Sequence, residues 1–135
     1  HLRSLGSHYG ALPAHDGLWS MAHHTSDDVA ARLAVVPMLL AARGLDVTPQ
    51  TIARLLEAGD ARGARVLSRI LDDEIRHVAI GTKHFIALAE RRGEAANTLW
   101  KSLIKVHFAG SVHPPFNDSA RRAAGLSREF CAEVD

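Results

Sequence analysis

Apolar positions recur every three or four residues along most of the chain, the spacing of amphipathic helices rather than the alternation of strands. The run VAARLAVVPMLLAARG from Val29 to Gly44 predicts a helix with Thr25 as its cap. Asp28 stands three residues on, in capping-box position, and Asp27 and Asp28 suit the positive helix end. Pro37 removes an amide donor inside this helix and predicts a kink, while Gly44 predicts its end. Thr48 followed by Pro49 reads as the start of a shorter helix through Ala58. Asp60 opens the longest periodic run, which ends at Arg92 before Gly93. Another helix is expected over Glu94 to Ala109. SVHPPFN is read as a loop because adjacent prolines exclude helix, and the tail from Asp118 as one or two short helices. Ser7 to His24 is irregular, broken by Gly10, Pro13 and Gly17. The expected class is all-α, a single helical domain over residues 1–135.

Composition agrees with that class and excludes several functions. Apolar residues make up 47% of the chain and aromatics 5%, a mix that favours helices over sheets. Sixteen basic and 15 acidic residues leave a formal charge of +1, so no global field recruits nucleic acid or an acidic membrane. No apolar run reaches the roughly 18 residues needed to span a bilayer, and no signal-peptide pattern is present. Cys131 stands alone, which rules out an internal disulfide or a cysteine zinc cluster and fits the reducing cytoplasm. With Arg128 as its nearest basic neighbour it reads as inert. HLRSLG at the start resembles the last turn of a helix closed by Gly6, so that either helical residues precede it or it is a short frayed N-terminus.

The chemistry concentrates in LDDEIRHVAIGTKHF, from Leu71 to Phe85. At 100° per residue Ile70, Glu74, His77, Gly81, His84 and Leu88 share a sector of roughly 80°, beside or within the face expected to point inward. A charged carboxylate there needs a partner or a metal. Glu-x-x-His sets a carboxylate and an imidazole one turn apart, able to converge on one divalent ion. The same spacing also makes an ordinary solvent-facing ion pair. His84 adds a third nitrogen two turns beyond Glu74, or else a polar residue at the rim of the core. Elsewhere, His15 and Asp16 before Gly17 orient a ligand or make a turn. His23 and His24 read as solvated imidazoles. Arg32 and Arg43, 11 positions apart on one helix face, anchor carboxylates or phosphates, or form surface salt bridges. No nucleophile-elbow context surrounds any serine.

Five blocks carry a resemblance: YGALPAHDGLW (Tyr9 to Trp19), RLAVVP (Arg32 to Pro37), ARGLDVTP (Ala42 to Pro49), DEIRHVAIG (Asp73 to Gly81) and HPPFN (His113 to Asn117). In this order they resemble a bacterial ferritin-like domain family of unknown function, usually found in proteins of about twice this length. The resemblance implies an antiparallel ferritin-like bundle of which this chain is the C-terminal portion, lacking two N-terminal helices. It implies a dinuclear iron or manganese site, with Glu74 and His77 matching the second of two Glu-x-x-His motifs. A more distant likeness joins it to the di-iron hydroxylase that modifies a tRNA base, without residues specific to that enzyme. Two positions depart from the family pattern. Leu40-Ala41-Ala42-Arg43-Gly44 stands where the family reads Leu-Glu-Ala-Arg-Gly, so Ala41 replaces a carboxylate, and His84 stands where the family has an aromatic.

Three functions follow as expectations. In the first, the whole protein is a dinuclear oxidoreductase using oxygen or peroxide, with Glu74, His77 and His84 among its metal ligands and its substrate open. In the second, favoured by Ala41, the site has decayed and the bundle is a binding or scaffold module. In the third, the nine histidines serve a metal-binding protein without turnover. Loss of two helices from a bundle predicts an exposed apolar stripe. A homo-oligomer or a further N-terminal segment is the expected cover.

Overall fold

The computed structural model describes residues 1–110 and 112–130, and every regular element among them is helical. A 3-10 turn, Leu2–Leu5, precedes helix α1, Gly17–His24. Helix α2 (Val29–Val35), a π-helical segment (Val36–Ala41) and helix α3 (Ala42–Glu57) then follow without a break as one rod. Gly59, at φ 78°, turns the chain back into the 32-residue helix α4, Ala61–Arg92. Helix α5 is Ala96–His107, helix α6 is Asp118–Ala123, and a closing 3-10 turn spans Arg128–Phe130.

Two contacts fix α4 antiparallel to the rod. Arg92, at the end of α4, reaches Asp28 at the start of α2, 3.6 Å away. Midway, Pro37 lies against Gly81. The rod and α4 form the central hairpin, α5 packs on α2 and α4, and α6 packs on α3 and α4. The core they enclose holds Val35, Met38, Leu45, Val78, Phe85, Trp100 and Ile104. Phe130 meets Trp100 edge to face, with centroids 5.8 Å apart, and so draws the final turn onto α5. Leu33, Leu40 and Leu71 border this core as the sequence pattern requires.

The rod corrects two boundaries. Its cap is Asp28, whose Oδ1 accepts from the Ala30 amide at 2.8 Å, and not Thr25. The buried Thr25 hydroxyl instead donates to the Met21 carbonyl and closes α1. Gly44 does not end a helix and Thr48-Pro49 does not begin one, since both lie inside α3. Proline in a helix interior leaves the carbonyl four residues earlier without its donor. For Pro49 that carbonyl belongs to Leu45, and the Asn117 amide Nδ2 donates to it at 3.1 Å. A side chain 72 positions away therefore offsets the break that Pro49 would otherwise cause.

Pro37 distorts rather than ends the rod, because the extra residue of a π turn accommodates its ring. The Trp100 indole N–H donates to the Ala34 carbonyl just ahead of that segment, at 3.3 Å. Caps at the other elements agree with their sequence. Asp60 Oδ1 accepts from the Gly63 amide, Gly93 closes α4 in the left-handed region, and Asn117 caps α6 through the Ala120 amide.

Candidate metal-binding pair on α4

The inward face of α4 centres on Val78, Thr82, Phe85 and Ala89, all buried. Helical geometry then assigns the polar residues. At 100° per residue Glu74 lies about 40° from Val78, whereas His77 and His84 lie about 100° and 120° away. Burial follows these angles. The Glu74 side chain is 28% exposed and that of His77 is 66% exposed, and His84 is exposed as well. The expected polar trio is thus graded across the edge of the core rather than enclosed by it. Gly81, which shares their sector, is buried because Pro37 closes over it.

Glu74 and His77 do meet. His77 Nδ1–H donates to Glu74 Oε2 at 3.1 Å, one turn apart on a regular helix. The oxygen and the nitrogen stand close enough to share one first-row divalent ion at the solvent boundary if that ion displaces the Nδ1 proton, which would fill two positions of its coordination sphere. Four or more positions need further donors, and among the described residues no three His, Cys, Asp or Glu side chains gather into a metal-binding set. His84 stands about 10 Å along the axis from His77 and does not join the pair. Ala41 packs beside the core as a methyl group. Around the pair, Val66, Ile70 and Ile80 leave apolar surface exposed on the same helix.

Among the other sequence candidates, His15, His24 and Arg32 have structural partners. His15 Nδ1 accepts from the Gly17 amide at 3.3 Å, and His24 bonds the Ser20 carbonyl at 2.9 Å. His23 is exposed at the end of α1. Arg32 donates to the Ala22 carbonyl, which ties α1 to the rod. Cys131 lies outside the described residues.

Sequence reading missed the most elaborate polar assembly of the chain. Asp46, fully buried on α3, receives Arg121 of α6 through two bonds, Nε to Oδ1 at 2.8 Å and Nη2 to Oδ2 at 2.7 Å. Its Oδ1 also accepts from the Asn117 amide at 2.9 Å. Arg43 Nη1 donates to the carbonyls of His113 and Pro115 at 2.8 and 3.0 Å and lies 3.7 Å from Asp46. The Arg121 guanidinium covers the Phe116 ring, 4.9 Å from its centroid. The ARGLD and HPPFN blocks are therefore two halves of one clasp. The signal was present as blocks, but nothing local pairs a residue on α3 with one 75 positions later.

No helix among the described residues is long and apolar enough to cross a membrane. No solved structure matches the chain. It is 38% identical over 128 residues to an uncharacterized protein of Haemophilus influenzae, a match that covers 95% of this chain. The chain spans 44% of that relative's length. The model of the family described as "Protein of unknown function (DUF455)" matches residues 1–132, so the chain belongs to the DUF455 family.

Proposed function

We propose that this chain is part of a ferritin-like oxidoreductase of the cytoplasm, in which Glu74 and His77 hold one side of an iron or manganese site. The observation that carries this reading is the 3.1 Å approach of Glu74 Oε2 and His77 Nδ1 on an accessible helix face. Packing supports their roles. Glu74 is partly sheltered, its side chain 28% exposed, while His77 faces outward, toward whatever completes the site. The exposed Val66, Ile70 and Ile80 beside it offer apolar surface to a second copy of the chain or to a segment beyond it, and this reading draws the remaining donors from there. Burial of that surface would also exclude water from the site. His84 offers a further imidazole toward the same cover. Bound iron or manganese supplies activation of oxygen or peroxide.

Ala41 favours a second reading, a metal-free scaffold, because a methyl group stands where the family resemblance calls for a carboxylate. Metal analysis of the full-length protein, purified without chelator, separates the two. The first reading expects bound iron or manganese that is lost in Glu74→Gln while the unfolding midpoint holds. Wild-type protein free of metal supports the scaffold. Bound metal without oxygen consumption in the presence of reductant identifies a binding protein without turnover.

A further inference from the structure

Five residues of α4 share one narrow strip of its surface. At 100° per residue Val66, Ile70, His77, His84 and Leu88 fall within about 40°, and no other residue of the helix does. Val66 is 43% and Ile70 50% exposed, His77 and His84 face solvent, and Leu88 is half-buried. Their spacing is symmetric. Ile70 and His84 stand seven positions either side of His77, and Val66 and Leu88 stand eleven. A seam that reads alike in both directions fits an antiparallel copy of itself, as an isologous interface requires. Resting on the metal-binding reading of Glu74 and His77, we propose that this seam seats a second copy of the chain, and that the two copies hold one divalent iron or manganese ion between them.

Three observations carry the assignment. First, the donors of one chain are too few. Glu74 Oε2 and His77 Nδ1 lie 3.1 Å apart, and among the described residues no third such donor joins them. A two-fold axis beside His77 brings a second pair to the same place. Once the ion displaces the Nδ1 protons, two oxygens and two nitrogens fill four positions. Second, the charge balances. Two Glu74 carboxylates neutralise one divalent ion, whereas a single pair leaves it with a net positive charge that is costly to cover with apolar surface. No Lys, Arg, Asp or Glu lies within the seam itself.

Third, the area fits pairing that depends on the metal. At 1.5 Å per residue the seam runs about 33 Å from Val66 to Leu88, and a helix width of about 10 Å gives roughly 330 Å² per copy. A standard stable interface buries about 800 Å² per partner. At the rim, the exposed Arg62 also approaches Arg91 of the second copy. Apolar contact alone is therefore too small to hold the pair, and the bonds to a shared ion supply the rest.

Full-length protein stripped with chelator and then titrated with manganese(II) alone tests the proposal. Sedimentation gives the state of association, and metal analysis after desalting gives the stoichiometry. The expected result is monomer without manganese, dimer with it at one ion per two chains, and return to monomer when chelator is added. Ile70→Lys places a charge in the seam without touching either donor. It should weaken the dimer about tenfold or more while the metal-free protein keeps its unfolding midpoint. Manganese held by a monomer at one ion per chain would overturn the proposal and leave the metal-binding reading standing, with the remaining donors drawn from the same polypeptide. Absence of bound manganese would overturn both. A dimer equally strong with and without manganese, or indifferent to Ile70→Lys, would overturn the proposal as well.

Discussion

The ring of Pro37 occupies the space that a side chain at Gly81 would need: a Cβ at Gly81 would stand 2.5 Å from both Cβ and Cγ of Pro37. The rod and α4 approach this closely because one of them gives up its side chain. Gly81→Ala therefore sets two effects against each other. Alanine is the better helix former by about 1 kcal/mol, but the contact forces the rod and α4 apart, at a cost of about 1–3 kcal/mol. The steric effect is the larger. A lower urea midpoint is expected, and a raised one would mean that the two helices separate here in solution.

Gly44 gives the opposite result. It lies inside α3 with open space where a Cβ would project. Gly44→Ala should raise stability by about 0.5–1 kcal/mol, since glycine loses more backbone freedom on folding. A left-handed helix end at this position, as the sequence pattern suggests, would make the same substitution destabilising. Equilibrium denaturation of this one variant decides between the two conformations.

The clasp should be costly to break from one side. Asp46→Ala leaves Arg121, 3% exposed, without its bidentate partner, and the expected loss is about 3–5 kcal/mol. Arg121→Met added to Asp46→Ala should recover part of that loss, because no buried charge is then stranded. A double-mutant cycle in urea measures the coupling, and simple additivity would show that the pair is loosely formed.

Acid acts at a different place. The hydrogen bond from Arg128, at 2.8 Å, and its positive charge hold the Asp118 carboxyl below its ordinary value of 3.8. A carboxylate whose folded pKa is lowered adds stability above the unfolded value, and that contribution is lost as pH falls through the folded one. The tie between α6 and the closing 3-10 turn should therefore hold at neutral pH and release only below about 3.8. Carboxyl resonances followed by NMR should place Asp118 below 3.8, and Arg128→Gln should raise it toward that ordinary value.

Local chemistry made much of this fold legible. The carboxylate of Asp60, the left-handed Gly93 and the periodicity between them define α4 without reference to the rest of the chain. Glu74 and His77 were legible for the same reason, since one helical turn fixes their separation. Pro49 was not. Its tolerance depends on Asn117, and no window around residue 49 contains the amide that satisfies the Leu45 carbonyl. Whether the imidazoles would stand beside the inward face or within it was open for a related reason, and they stand beside it. Periodicity groups residues into sectors, but Pro37 over Gly81 decides which edge of the sector is covered.

The π segment between Val35 and Ala42 has a consequence for chain length. Its wider turn holds one residue more than an α-turn, so it takes up that residue without changing the phase of the rod on either side. Deleting one residue from 38–41 would let the rod relax to uniform α-helix with α3 facing as before, so that Asp46 would keep Arg121 and the Leu45 carbonyl would keep Asn117. The same deletion between Ala42 and Leu45, where no residue is in surplus, would turn both away by about 100° around the axis. Homologues can thus lose a residue inside the π segment, whereas a loss in the α-helical turn after it would unhitch the two ends of the domain.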